Sequence, residues 1–382
     1  MQYQKLFKNR SVAKIKRGAV MKKIFLYAYD HINLGDDLFI ETIVKRYPNT
    51  LFYFWTDGKN KTVFHTLNNL RIIDQNSWKV NVLNKIRPSL VARYKARIQK
   101  KCNVQVYIGG SIFIEYPTWK DIVAWWEYQS TQYPFFVLGA NFGPYHTEEY
   151  KNAMDKVYKQ LKDVCFRDSY SKRLFAENDN VRKASDILFS YQMPQCIEIK
   201  KQIFVSVISY KDKQLNTDFN KMTNDEYLEK MSQMITGFIR QGYHIVLASF
   251  CREEGDLDAA KDISKRIAEK QSVKILDYDG LNREELLKEI CSSEYIIATR
   301  FHGTILGLTA GKSVFPIIYS DKTKYVLEDI GFQGSYADLR NPDSLSFENA
   351  KKNLESEYKI DVSNLVKDAE KHFQKLDKFL ND

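Results

Sequence analysis

Between residues 22 and 318, short apolar runs of strand length alternate with stretches of helical period, and that alternation restricts the fold more than any other feature. The runs that read as strands are Lys22–Tyr29, Leu51–Trp55, Val104–Ile108, Pro134–Leu138, Val164–Phe166, Ile203–Ser209, His244–Ala248, Val273–Leu276, Tyr295–Ala298 and Val314–Ile318. Helical period fills Trp119–Gln129, Glu148–Lys162, Asp225–Arg240, Leu257–Glu269 and Arg283–Cys291. After the first strand comes a loop at Asp30–Asp37, then a helix to about Arg46 with acids in its first turn, the favourable end for them. Strands alternating with helices of this length build parallel sheets covered on both faces, so the predicted class is α/β. No internal repeat of short period is present, which argues against a solenoid.

A chain of 382 residues, at about 150 per domain, has length for two such units. The break falls at Met193-Pro194-Gln195-Cys196, ahead of the charged stretch Glu198–Lys201 and a fresh strand. The expected organisation is a basic leader over 1–20, one α/β domain over 21–195, a second over 196–345 and a helical segment over 346–382. In the last segment Leu365, Ala369, Phe373, Leu376 and Leu380 mark the apolar side of a packing helix, read as returning across the interdomain seam.

With 44% hydrophobic and 14% aromatic residues the chain is globular rather than disordered. No window approaches the 18 or more apolar residues of a membrane span, and the polar, basic start lacks the apolar core of a signal peptide, so a cytoplasmic protein is expected. Five scattered cysteines without CxxC spacing argue against a disulfide framework or a zinc site, and reduced, buried thiols are expected.

The net charge of +10 is unevenly placed. Residues 1–20 carry six basic side chains and no acid, residues 79–101 carry eight and no acid, and the remainder is net acidic. Such patches attract polyanions. No helix-turn-helix, zinc-finger or RNP-type pattern accompanies them, so nucleic acid is not expected, and an anionic membrane surface is the reading set against a merely solvated basic helix. Within 79–101 the apolar residues Val80, Val82, Leu83, Ile86, Leu90, Val91, Tyr94 and Ile98 have amphipathic spacing, with Pro88 dividing or starting a helix. Peripheral attachment to the inner face of the membrane is the expectation drawn from it.

In parallel α/β sheets ligands bind beyond the carboxyl ends of the strands. The loops there carry Gly109-Gly110-Ser111, Gly139-Ala140-Asn141-Phe142-Gly143-Pro144, Arg167-Asp168-Ser169 and Arg300-Phe301-His302-Gly303. Neither GxGxxG nor GxxxxGK[ST] occurs at these places, which weakens dinucleotide and P-loop readings. Arg300 and His302 stand at a predicted helix N-terminus, with Gly303 allowing close approach, and Lys322 follows the next strand. Arginine suits bidentate recognition of carboxylate or phosphate, lysine supplies a point charge, and histidine exchanges a proton near neutrality, so the three together point to an anionic ligand.

The series Asn33-Leu34-Gly35-Asp36, Gly109-Gly110, Gly139-x-x-x-Gly143-Pro144, Arg167-Asp168-x-x-Ser171, Asp186, Arg300-Phe301-His302-Gly303-x-Ile305-x-Gly307-Leu308 and Tyr319-x-x-Lys322 resembles the polysaccharide pyruvyltransferase family. The likeness runs in order from about residue 24 to 332, and residues 1–20 fall outside it. It implies a fold similar to GT-B glycosyltransferases, with two Rossmann-like domains facing a cleft. It implies transfer of the pyruvyl group of phosphoenolpyruvate to two hydroxyls of a sugar, in a cell-surface polysaccharide or its lipid-linked precursor, giving a cyclic ketal and phosphate. Arg167, Arg300 and Lys322 would then bind the donor, with His302 as general acid and base. The first domain would be the acceptor side and the second the donor side. Asn33, Gly35, Asp36, Gly109, Gly110, Asn141 and Gly303 are the candidate acceptor or cleft residues. No metal and no cofactor is implied, phosphoenolpyruvate being a co-substrate. Trp119, Trp125 and Trp126 could stack on sugar, with core packing the favoured role. Two alternatives stay open: a glycosyltransferase using a nucleotide sugar, and a non-catalytic anion-binding protein of the same fold.

Overall fold

A computed structural model describes residues 21–196, 198–211, 222–356 and 358–382, so the basic leader 1–20 lies outside the described residues. The first sheet holds β1 (Lys23–Tyr27), β2 (Leu51–Thr56), β3 (Leu70–Asp74), β4 (Val104–Ile108), β5 (Phe135–Ala140), β6 (Asp163–Phe166) and β7 (Val181–Lys183). The second holds β8 (Lys200–Ser206), β9 (His244–Ser249), β10 (Val273–Asp277), β11 (Ser293–Ala298), β12 (Ser313–Ile318) and β13 (Ala337–Asp338). Their orders are β3-β2-β1-β4-β5-β6-β7 and β10-β9-β8-β11-β12-β13, and neighbours pair in parallel throughout.

In each sheet the chain winds outward from a central strand, then returns to that strand's other side. The reversals lie between β1 and β4 and between β8 and β11. At such a switch point the connecting helices leave to opposite faces, which opens a crevice beyond the strand ends. The loops after β1, β4, β8 and β11 therefore border the two natural binding crevices.

β7 and β13, of three and two residues, are too short to show periodicity, and β3 is a partly exposed edge strand flanked by polar residues. The sequence gives no strand signal at any of the three. The core forms one cluster that continues across the seam and two that cover the outer faces. The seam cluster joins Ile24 and Leu26 of β1 to Phe204 of β8 through the helices Leu34–Arg46 and Phe301–Thr309.

The C-terminal segment is several short helices rather than one. Phe347–Glu355 packs on the second domain, where Asn353 Nδ2 donates to the Val314 carbonyl at 2.9 Å. Ser363–Ala369 and Gln374–Asn381 lie on the first domain. There Arg46 holds Asp377 at 2.6 Å and Glu370 at 2.5 Å, Phe136 meets Phe379 edge-on, and Ala369, Phe373 and Leu376 are buried. Cys165, Cys251 and Cys291 are buried as expected, whereas Cys102 is half-buried and Cys196 exposed. Among the described residues no helix is long and apolar enough to cross a membrane.

His372 fixes this return. It is fully buried, and its Nε2 lies 2.9 Å from the Ser185 carbonyl, which can only accept, so that nitrogen carries the proton. Burial, aided by the Arg182 charge, pushes the imidazole down to about 3. The unfolded imidazole titrates near 6.5. Below that pH the unfolded chain binds a proton that the folded one refuses, and stability drops as pH falls from about 6.5 to about 3. In His372→Gln the pH dependence of the unfolding free energy from urea titration should be shallower across that interval, by up to about 1.4 kcal/mol per pH unit.

Candidate active site

The two switch points face each other across a cavity of about 810 Å³, lined from both halves of the chain. Arg167 enters it from the end of β6, where its backbone N–H donates to the Ala140 carbonyl at 2.8 Å. The side chain is 2% exposed. Its Nη1 donates to Asp186 Oδ2 at 3.1 Å and its Nη2 to Asn141 Oδ1 at 2.7 Å, while its buried Nε has no partner among the described residues. The guanidinium carbon sits 4.0 Å from the centre of the Phe301 ring, a cation–π contact that spans the seam. Gly110 makes this possible, because a Cβ there would stand 2.7 Å from Arg167 Nη2.

Arg300 lies at the cavity wall as the residue before the helix Phe301–Thr309. Its guanidinium is not left to meet an anionic ligand as an uncompensated cation. Nε and Nη2 both bind the Asp256 carboxylate, the former at 2.7 Å, and Nη1 binds Glu254 at 2.7 Å. Asp256 is fully buried and also accepts the backbone N–H groups of Phe250 and Cys251 at 3.1 and 3.0 Å. The sequence analysis singles out neither Glu254 nor Asp256, which it leaves between the strand His244–Ala248 and the helical stretch Leu257–Glu269. The available signal was their position just past a strand end.

Lys322 differs from both arginines: among the described residues no carboxylate lies within ion-pair distance of it. It stands in the first turn of the helix Asp321–Asp329, with its ammonium 5.4 Å from the centre of the Tyr319 ring. That helix and Phe301–Thr309 both begin at the cavity, and neither has a side-chain cap. Their first-turn N–H groups lack intrahelical partners and attract negative charge.

His302 extends across the seam. Its ring meets Phe39 of the first domain at 5.0 Å and 89° and Phe301 at 5.2 Å. It lies so close over Gly35 that any side chain there would collide with the imidazole. Nε2 is buried without a partner among the described residues. Burial, then the charges of Arg167, Lys322 and Arg300, hold the imidazole well below its usual range, so it is neutral and able to accept a proton.

Asp36 is tuned the opposite way. It sits in the first turn of Leu34–Arg46, whose N-terminus is capped by the Asn33 side chain accepting from the Gly35 N–H at 3.1 Å. Burial, reinforced by Glu254, raises the carboxyl to about 6 against the pull of Arg167, Lys322 and Arg300. A neutral base and an acid titrating near neutrality thus face one cavity.

Of the other candidates, Asn33, Asp36, Gly109, Gly110 and Asn141 line the cavity, whereas Gly35 and Gly303 serve packing. Gly303 lets its helix approach Ser206 at the end of β8, with a Cβ there only 3.1 Å from that of Ser206. Trp119, Trp125 and Trp126 belong to the aromatic core around Phe113, Phe135 and Tyr150, not to the cavity. The cavity's aromatic faces include Tyr107, Tyr116, Tyr145, Tyr170 and Tyr325, which the sequence did not single out. Tyr170 and Tyr325 stack across the cleft, centroids 4.2 Å apart.

Two Rossmann-like domains whose switch points share one anion-attracting cleft define the GT-B fold class. The structure is similar to UDP-GlcNAc 2-epimerase from Methanocaldococcus jannaschii, at a TM-score of 0.59 and 12% identity over 94% of this chain and all of that one. It is equally similar to Anabaena Alr3699/HepE in complex with UDP and glucose, at 0.59 and 13% identity over 95% of this chain and all of that one. At such identities the likeness is one of fold. The sequence profile of the polysaccharide pyruvyl transferase family matches residues 33–321, and the chain belongs to that family. It is also similar to amylovoran biosynthesis protein AmsJ of Erwinia amylovora, 21% identical over 268 residues. That match spans 63% of this chain and 63% of the length of the curated relative.

Removing the Arg300 guanidinium leaves Asp256 buried and unpaired, so Arg300→Ala should act first on stability. A loss of about 3–5 kcal/mol is expected from the urea transition. A variant as stable as the parent would show that Asp256 does not depend on the pair.

Proposed function

We propose that this protein transfers the pyruvyl group of phosphoenolpyruvate to two hydroxyls of one sugar, in a cell-surface polysaccharide or its lipid-linked precursor, forming a cyclic ketal and releasing phosphate. The observation that carries the reading is the convergence of Lys322, the unpartnered Arg167 Nε and two uncapped helix N-termini on the cavity that holds His302 and Asp36. Phosphoenolpyruvate carries a carboxylate and a phosphate, and these donors suit both. The cavity is large enough for a sugar beside the donor, and its tyrosines offer faces for a sugar ring. The work is cytoplasmic, at the inner face of the membrane where a lipid-linked acceptor is presented.

In this mechanism Asp36 gives its proton to the methylene carbon of the donor, which leaves an oxocarbenium-like centre next to the carboxylate. The first sugar hydroxyl adds to that centre, and His302 takes its proton. The bond from the same carbon to the phosphate oxygen then breaks. The second hydroxyl adds there and closes the ring, and its proton leaves with phosphate. Arg167 and Lys322 hold the anionic groups through both additions, and Arg300 acts by fixing the wall that carries Glu254.

The assay is phosphate release from phosphoenolpyruvate with a panel of synthetic and lipid-linked glycans. His302→Gln should lower turnover by about 10²- to 10⁴-fold, as for a lost general base. Because Asp36 must be protonated to act, kcat/KM should fall as pH rises through about 6, and Asp36→Asn should lose that limb along with most of its activity. A bound donor's negative charge raises the carboxyl further, so the same limb in kcat should lie at higher pH. Thermal stabilisation by a nucleotide sugar and not by phosphoenolpyruvate would favour the glycosyltransferase alternative and overturn this reading.

A further inference from the structure

The helix Trp78–Ile86 leaves apolar side chains in water that the site does not use. Trp78 is 79% exposed, Val82 45% and Ile86 64%. Spaced four apart, they form one stripe, at about 100° per residue, and Lys79 and Lys85 border it on opposite sides. Pro88 starts the next helix, Pro88–Gln99, rather than kinking a longer one. Two of the residues that give 79–101 its amphipathic spacing, Val80 and Ile98, face the core at 5% and 7% exposure. The outward stripe keeps Val82 and Ile86 of that set and adds Trp78, one residue before the basic stretch.

We propose that this stripe and the bases around it form a docking surface for an anionic lipid bilayer. The inference deepens the membrane-face location given above and rests on it. Charge complementarity selects the occupant. Residues 79–101 contain no acid, and Lys79, Lys85, Arg87 and Arg93 are all exposed. A second copy of this chain would bring two such stretches face to face, whereas anionic headgroups neutralise them. Indole and aliphatic side chains rest at the boundary between headgroups and acyl chains, and lysine and arginine stems reach from there to the phosphates. A stripe about 12 Å long inserts little apolar area, so binding needs both the apolar and the charge contribution and is reversible.

The test is co-sedimentation of the full chain with phosphatidylcholine vesicles, with and without phosphatidylglycerol. Binding is expected only with phosphatidylglycerol, weakened by raised salt because screening lengths are about 8 Å at physiological ionic strength. Trp78→Ser/Ile86→Ser and, separately, Lys79→Glu/Lys85→Glu should each cut vesicle affinity by about tenfold or more. Both should keep the parent's thermal midpoint and its phosphate release with a water-soluble acceptor. Undiminished binding in both variants, equal binding to neutral vesicles, or a dimer broken by Trp78→Ser/Ile86→Ser without vesicle binding would overturn the proposal. Its failure is distinguishable from failure of the pyruvyl-transfer reading. Absence of vesicle binding by the parent protein with ketal formation intact removes only the surface, and vesicle binding by it without ketal formation removes only the reaction.

Discussion

Arg300 binds Asp256 with two nitrogens at the place where the turn after β9 reverses and the helix Phe301–Thr309 begins. The same carboxylate takes the N–H groups of Phe250 and Cys251, which fixes that turn. The Phe250 carbonyl then accepts from the Leu34 N–H across the seam at 3.1 Å. Leu34 opens the helix that carries Gly35 and Asp36. One buried ion pair in the second domain therefore sets where the first domain presents its acid and where His302 finds the flat backbone on which it lies. Tyr278, donating to Asp37 at 2.7 Å, and Arg283, 2.9 Å from Glu41, hold the same helix further along.

The electrostatics of the cleft follow from how its cations are matched. A buried guanidinium without a partner would be prohibitive, and both arginines are countered, Arg167 by Asp186 and Arg300 by Asp256 and Glu254. The attraction for an anion is thereby shifted onto Lys322, onto Arg167 Nε and onto backbone N–H groups. The backbone N–H groups among them are fixed by the fold, a preorganised arrangement suited to a developing negative charge. Burial, and after it the surplus positive field, keeps His302 neutral, while burial and then Glu254 keep Asp36 protonated up to about 6.

The β-strands of both sheet centres were legible because each is a continuous apolar run, and so was the helix after β1 with its acid-rich first turn. Lys322, Arg167 and His302 were legible as strand-end residues of the right chemistry. The pairing of Arg300 was not, because Glu254 and Asp256 lie more than forty positions away in sequence and meet it only through the β9–β8–β11 order. Asp36 could be named from the loop but not given a proton, since its tuning comes from burial and from charges on the other domain. The tryptophans of Trp119–Gln132 were set against sugar binding on composition alone, and the sheet face they cover decided for the core.

The return of Ser363–Ala369 and Gln374–Asn381 means that the first domain is not contiguous in the gene. Its sheet ends at Lys183, yet Phe373 and Leu376, buried in its core, follow the whole second domain in the chain. At about 5–20 residues per second, the ribosome adds the second domain over roughly tens of seconds before that helix exists. During that interval Phe136 and the neighbouring apolar face stand uncovered. The nascent first domain is an incomplete folding unit, and the second domain is finished before it. Its assembly order runs against its order of synthesis, and a chain truncated anywhere before Phe373 loses closure of the domain farthest from the cut in sequence.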